Sequence, residues 1–211
     1  MPLSIYQLKP RFQQLLLPFA RILYGLGFTA NQVTLLACAV SVALGLGLYF
    51  APLSPAWFAL LPLWLFLRMA LNAIDGMLAR DFNQRSALGA CLNELTDVIS
   101  DAALYLPFAK LAGFEPLWIG ALILAAALSE MAGVLGQTIG ASRRYDGPFG
   151  KSDRAFVFGA LGLAVALWHP LPSWAGWSIP LAVVLSAVTV TNRVHAGIKE
   201  SQSTPRSLCC R

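Results

Sequence analysis

Arg68-Met69-Ala70-Leu71-Asn72-Ala73-Ile74-Asp75-Gly76-Met77-Leu78-Ala79-Arg80 is followed, eight residues later, by Gly89-Ala90-Cys91-Leu92-Asn93-Glu94-Leu95-Thr96-Asp97-Val98-Ile99-Ser100-Asp101. Both pieces lie in apolar segments, residues 56–80 and 86–109, each as long as the roughly 20 residues that a bilayer crossing needs. A charged group at such a depth costs about 2.5 kcal/mol or more unless it is paired, hydrated or metal-bound. Arg68, Asp75, Glu94, Asp97 and Asp101 must therefore face the interior of a helical bundle. Gly89, Asn93, Asp97 and Asp101 recur every four residues and line one helical stripe, and Arg68, Asn72, Asp75 and Ala79 make a matching stripe. The two segments are antiparallel and share a short loop, so equal depth means equal distance from that loop. Asn72 is then level with Asp97, Asp75 with Asn93 and Glu94, and Arg68 with Asp101. Two facing stripes of oxygen ligands suit hard divalent cations.

The rest of the chain agrees with a membrane setting. Its 211 residues are 57% hydrophobic and only 12% charged, with a mean hydropathy of +0.65; a soluble domain carries roughly a quarter charged residues. This excludes a second soluble domain. Residues 3–27 mix charge with Leu15, Leu16, Leu17, Phe19, Ile22 and Leu23 and predict an amphipathic interfacial helix, kinked or split at Pro18. Thr29 or Asn31 is placed to cap the first apolar run. Apolar runs at 31–50, 56–80, 86–109, 117–141, 154–168 and 174–191 predict six spans, broken by Pro52, Pro55, Pro170 and Pro172. The fold expected is all-α and polytopic: an interfacial helix at 3–27, a six-span bundle over 31–192, and a tail at 193–211.

The pI near 9.3 does not point to nucleic acid, because the basic residues flank apolar runs and form no basic domain. Of 15 Lys and Arg residues, only Lys110 falls on one side and Arg68 within a span. The rest lie on the other, which the positive-inside rule makes cytoplasmic. Both termini are then cytoplasmic, and the polar motifs open to that side. Trp57, Trp118, Trp168, Trp174 and Trp177 sit near the outer ends, as an aromatic belt would. The four cysteines have no metal-type spacing; Cys209 and Cys210 at the tail are structural thiols or a lipidation site.

Asp75-Gly76-Met77-Leu78-Ala79-Arg80, eight residues, Gly89, three residues, Asn93, three residues, Asp97 resembles the signature of the CDP-alcohol phosphatidyltransferases, D-x2-D-G-x2-A-R-x8-G-x3-D-x3-D. The six spans and interfacial helix extend the resemblance to nearly the whole chain. It implies transfer of a phosphoalcohol group from a CDP-alcohol, such as CDP-diacylglycerol, to an acceptor alcohol with release of CMP, in a bilayer and in a homodimer. It implies Mg2+ or Mn2+ held by Asp75 and Asp97, with Asp97 also the base. It also implies that Gly76, Ala79, Arg80 and Gly89 bind cytidine diphosphate, while Asn31 and Thr34 match a polar pair of the family or are an ordinary N-cap. Two family aspartates are replaced, by Asn72 and Asn93, which offer only neutral carbonyl oxygens. Glu94 shares a face with Asp97 and is expected to take the third ligand place.

Other residues have plainer expectations. Arg68 and Asp101 are expected to form a structural ion pair, and Glu130 to pair with a neighbour or line the cavity. Arg143, Arg144, Lys151 and Arg154 sit in a loop with Gly147, Pro148 and Gly150. They are read either as positive-inside charge or as a site for an anionic acceptor or lipid phosphate. Rival functions are a non-catalytic family member, which the two Asn replacements favour, and an ion relay using the intramembrane carboxylates. The Gly-x2-Ala-Arg spacing has no use in an ion relay.

Overall fold

The computed structural model describes residues 5–51, 54–168 and 170–203, with side chains from Phe12 onward. Pro52, His169, Arg206, Cys209, Cys210 and Arg211 lie outside the described residues. Seven α-helices follow one another: α1 Ile5–Gly25, α2 Ala30–Phe50, α3 Leu60–Asp81, α4 Ala87–Tyr105, α5 Pro116–Thr138, α6 Lys151–Trp168 and α7 Ser178–Ser203, with short 3-10 turns before α3, after α4 and before α7. There is no strand among the described residues.

Among the described residues four segments are long and apolar enough to cross a membrane: Ala30–Phe50, Pro55–Asp81, Pro116–Thr138 and Ser173–Ser203. The α4 and α6 helices fall short of that description because of their charge. Glu94, Asp97 and Asp101 interrupt α4, and Lys151, Asp153 and Arg154 begin the 18-residue α6. Of these charges, Asp97, Asp101 and Arg154 are buried inside the bundle.

Local signals account for the helix ends. Thr29 caps α2: its hydroxyl accepts from the Gln32 amide at 3.3 Å, and the Gln32 side chain accepts from the Thr29 amide at 2.9 Å, a reciprocal capping box. Ser86 caps α4 through the Gly89 amide at 2.9 Å. Between them Asn83 takes a left-handed turn, φ 58°, which asparagine tolerates better than most residues. Pro18 neither splits nor ends α1, which is continuous from Ile5 to Gly25. Leu16 and Ala20 of α1 are buried in a cluster with Ala70, Ile74, Met77 and Leu78 of α3. Leu15, Phe19 and Ile22 form a second, exposed apolar stripe. The helix thus has one apolar face for α3 and another for lipid.

The α2 helix packs against both α3 and α4, α5 against α7, and α3 against α6. The α3 and α4 helices are not a close-packed pair; they stand apart with a cavity between them, and their long side chains bridge it. At the far end an aromatic cluster closes the bundle. Tyr105 stacks on Phe158 with ring centroids 3.8 Å apart, and Phe108 meets Phe58, Phe114 and Phe158 edge-on at 5.3, 5.7 and 5.1 Å. The α7 helix extends well into the expected tail. Ser186, Thr189 and Arg193 are buried along one of its faces, so Arg193 belongs to the bundle.

Close approach of α2 to α4 depends on Gly45, where a side-chain carbon would run into the Ala103 backbone carbonyl. Two residues on, Gly47 has nothing within 4 Å. Gly45→Ala should destabilise the protein by about 1–3 kcal/mol through overpacking. Gly47→Ala should be neutral or gain up to about 1 kcal/mol from helix propensity. Thermal unfolding of both in detergent checks this; equal effects would show that the α2–α4 contact is looser than described.

Candidate active site

The cavity between α3 and α4 has a volume of about 980 Å³ and opens beside the α3–α4 turn. Its walls come from α2 (Asn31, Thr34), α3 (Asn72, Asp75, Gly76, Ala79, Arg80), α4 (Gly89, Asn93, Glu94) and α5 (Val134, Gln137), with Arg143 and Tyr145 from the loop before α6. Every residue assigned to nucleotide binding by its place in the sequence therefore lines one space. Arg80 and Arg85 also line it and form no ion pair among the described residues.

Two glycines in the wall serve different neighbours. A side-chain carbon on Gly89 would stand 2.7 Å from Asn31 Oδ1 and 3.0 Å from Ser86 Oγ, so Gly89 makes room for the Asn31 amide. Above Gly76 the nearest group is the Arg80 guanidinium, 3.7 Å away.

Asp75 and Asp97 have unlike partners. Thr34 Oγ1 donates to Asp75 Oδ2 at 2.7 Å. Asp97 Oδ1 receives three donors: Lys151 Nζ at 2.5 Å, Arg68 at 3.3 Å and Asn72 Nδ2 at 3.3 Å. Asn72 is thus level with Asp97, but it turns its amide nitrogen towards the carboxylate. Glu94, the expected third ligand, accepts from Arg143 through Oε1, while its buried Oε2 has no hydrogen-bond partner. No three His, Cys, Asp or Glu side chains converge on one point among the described residues. The oxygens left are one further oxygen on each of Asp75, Asp97 and Glu94 and the amide oxygens of Asn72 and Asn93. Oxygen donors of this kind suit a hard divalent cation.

Beyond Asp97 lies a buried ionic network. Arg68 donates to Asp101 Oδ1 at 2.5 Å and to the Asp97 carbonyl at 3.0 Å. Arg154, fully buried, reaches Asp101 Oδ2 at 3.2 Å, Glu130 Oε1 at 2.8 Å and Ser129 Oγ at 3.0 Å. Arg193 donates to the Ser129 carbonyl at 2.5 Å and faces Glu130 Oε2 at 3.5 Å; Arg143 faces the same oxygen at 3.6 Å. Removing one partner of a buried pair typically costs about 3–5 kcal/mol. Arg154 is therefore fixed where it is, and neither it nor Arg193, Glu130 or Asp101 lines the cavity.

The four cations expected to receive an acceptor phosphate divide among several places. Arg143 lines the cavity, Lys151 sits on Asp97, and Arg154 is in the network. Arg144 points away, pairing with Glu200 and Asp146. Its hydrogen bond holds the Asp146 carboxyl below the usual carboxylate range. The loop glycines are explained by packing: Gly147, φ 126°, lies against Thr189, where a side-chain carbon would come within 2.8 Å of Thr189 Cβ. Phe149 donates its backbone N–H to Thr189 Oγ1 at 3.0 Å, so the loop is strapped to α7.

Sequence reasoning missed three things: Lys151 on Asp97, Glu130 as a hub for three arginines, and Arg193 altogether. The signal for Arg193 was present in Ser186, Thr189, Arg193 and Gly197, which repeat at three- and four-residue spacing on one face of α7.

The family model of the CDP-alcohol phosphatidyltransferases matches residues 28–188. The inner membrane protein YnbA of Escherichia coli (strain K12) is 50% identical over 197 residues, covering 92% of this chain and 96% of that one. The crystal structure of Mycobacterium tuberculosis phosphatidylinositol phosphate synthase with CDP-DAG bound superposes with a TM-score of 0.70 at 20% identity, covering 94% of this chain and 98% of that one. The same enzyme in complex with manganese and citrate gives 0.68 at 20% identity, over 92% of each chain. The chain is an integral membrane protein and belongs to the CDP-alcohol phosphatidyltransferase family.

Proposed function

We propose that this chain transfers a phosphatidyl group from CDP-diacylglycerol to an acceptor alcohol, releasing CMP, in phospholipid synthesis. The observation that carries this reading is the gathering of Asn72, Asp75, Gly76, Ala79, Arg80, Gly89 and Asn93 around one cavity open at the α3–α4 turn, with Asp97 joined to Asn72 at 3.3 Å. Lysine and arginine distribution puts that opening on the cytoplasmic side. The α4 and α6 helices count as spans in this reading, six in all with α1 at the interface, because their charges are turned inward and paired. The CDP-DAG bound by the Mycobacterium tuberculosis relative supports the donor class.

Each group has a task that its position allows. Asn31, Gly76, Ala79 and Gly89 shape the space for a nucleotide, and Arg80 and Arg85 at the rim meet its diphosphate. Asp97 takes the proton from the acceptor hydroxyl as that oxygen bonds to the phosphatidyl phosphorus. The bond from that phosphorus to the CMP oxygen breaks, and CMP leaves. Lys151 covers Asp97 before substrate arrives; a phosphate oxygen of the donor competes for its ammonium and uncovers the base. Asp75 and Asp97, with Asn72 and Asn93, would hold one Mg2+ or Mn2+, which supplies Lewis-acid polarisation of the phosphoryl oxygen. The manganese complex of the relative supports divalent metal of this kind.

Purified protein in vesicles containing CDP-diacylglycerol should release CMP when given divalent metal and an acceptor alcohol. Asp97→Asn should lose about 100-fold to 10,000-fold in that rate, the usual range for loss of a general base, and remain folded because Arg68 keeps Asp101. Normal turnover by the folded variant would remove Asp97 from the mechanism. Asn93→Asp adds a carboxylate beside the two already present. It should tighten Mn2+ binding, measured by electron paramagnetic resonance of the free ion; unchanged binding would mean that residue 93 does not face the metal.

A further inference from the structure

We infer that the acceptor is an alcohol without a phosphate of its own, a simple alcohol or polyol, and that Glu130 sets this preference. The inference rests on the transferase reading and concerns the half of the cavity that the donor does not need. A phosphorylated acceptor requires spare positive charge near the base. Five cations surround Asp97 in this bundle: Arg68, Arg143, Lys151, Arg154 and Arg193. Every one is within ion-pair distance of Asp97, Asp101, Glu94 or Glu130. The two cavity cations that have no ion pair among the described residues, Arg80 and Arg85, stand at the turn end, where the donor's diphosphate is placed. A phosphate on the acceptor, at the other end, would meet only cations that already hold a carboxylate.

Glu130 is the residue that keeps it so. It alone faces three of the arginines, Arg154 at 2.8 Å, Arg193 at 3.5 Å and Arg143 at 3.6 Å. It sits on α5 one turn further from the mouth than Val134, which lines the cavity. Arg154 and Arg193 are thereby drawn beneath the cavity and away from any ligand in it. What α5 and the loop after it offer in their place is Gln137 and Tyr145, neutral groups that hydrogen-bond hydroxyls. Arg143, the one cation of the five that reaches this wall, is held by Glu94.

Two measurements test this on full-length protein in nanodiscs. The first is binding of glycerol 3-phosphate by calorimetry, which needs no turnover. The parent should show no saturable binding in the millimolar range, while Glu130→Gln, which frees cations beside the cavity, should bind at least about tenfold more tightly. Saturable binding by the parent, or no gain in the folded variant, would overturn the inference. The second is CMP release from CDP-diacylglycerol by the unaltered protein. Glycerol and myo-inositol are compared with glycerol 3-phosphate and inositol 1-phosphate. The unphosphorylated partner should be preferred by about tenfold or more in kcat/KM. Preference for the phosphorylated partner would overturn the inference while leaving the transferase reading standing. CMP release with none of the four acceptors would count against the transferase reading, and the calorimetry would still decide the charge argument.

Discussion

Arg154, wholly buried and shared between Asp101 and Glu130, is the contact on which the bundle depends. It lies near the start of α6 and ties α4 to α5. Through Asp101 it reaches Arg68 of α3, and through Glu130 it reaches Arg193 of α7. Five helices are thus joined by one set of charges. In a bilayer an unpaired member of this set has no water to retreat to, so the helices must come together in the one arrangement that pairs them all. The aromatic cluster at the other end closes the bundle by shape. The ionic network fixes its register.

The cavity arises from this arrangement. Because α2 packs on both α3 and α4, and those two meet only through side chains, a gap remains between their polar stripes. Arg68 and Asn72 reach across at the bottom of the gap and define its depth. Small residues along its wall, Gly76, Ala79 and Gly89, keep it open. The resulting site has two ends of different character. Near the turn, Arg80 and Arg85, without ion pairs among the described residues, suit an anionic nucleotide. Towards α5, Arg143 is paired with Glu94 and Glu130, and Gln137 and Tyr145 add neutral, hydrogen-bonding groups.

Much of this was legible in the sequence, because a charge inside an apolar run has few permitted positions. The four-residue spacing of Gly89, Asn93, Asp97 and Asp101 marks the face of α4, and distance from the α3–α4 turn sets the depth at which Arg68 meets Asp101. That Asp75, Gly76, Ala79, Arg80, Gly89 and Asn93 share one cavity could be read from the same motif. Partner choice could not. Glu94 pairs through one oxygen with Arg143, which comes from a loop some fifty residues later, and no local spacing reports that. Arg193 was expected in a tail because apolar content fades before α7 ends. Lys151 beside Asp97 depends on how α6 enters the bundle, which is tertiary information. One interfacial helix and six spans were expected; among the described residues four segments are long and apolar enough to span, and the ionic groups of α4 and α6 lower the hydropathy of those two helices.

In the proposed mechanism Asp97 is a base kept covered by Lys151 until the donor's diphosphate draws the lysine away. Determining the structure of the protein in a nanodisc with CDP-diacylglycerol bound tests this most directly. The diphosphate should lie in the cavity between Asp75 and Arg80, with Lys151 Nζ moved from Asp97 to a phosphate oxygen. A nucleotide bound elsewhere, or a bound donor with Lys151 still on Asp97, would contradict it.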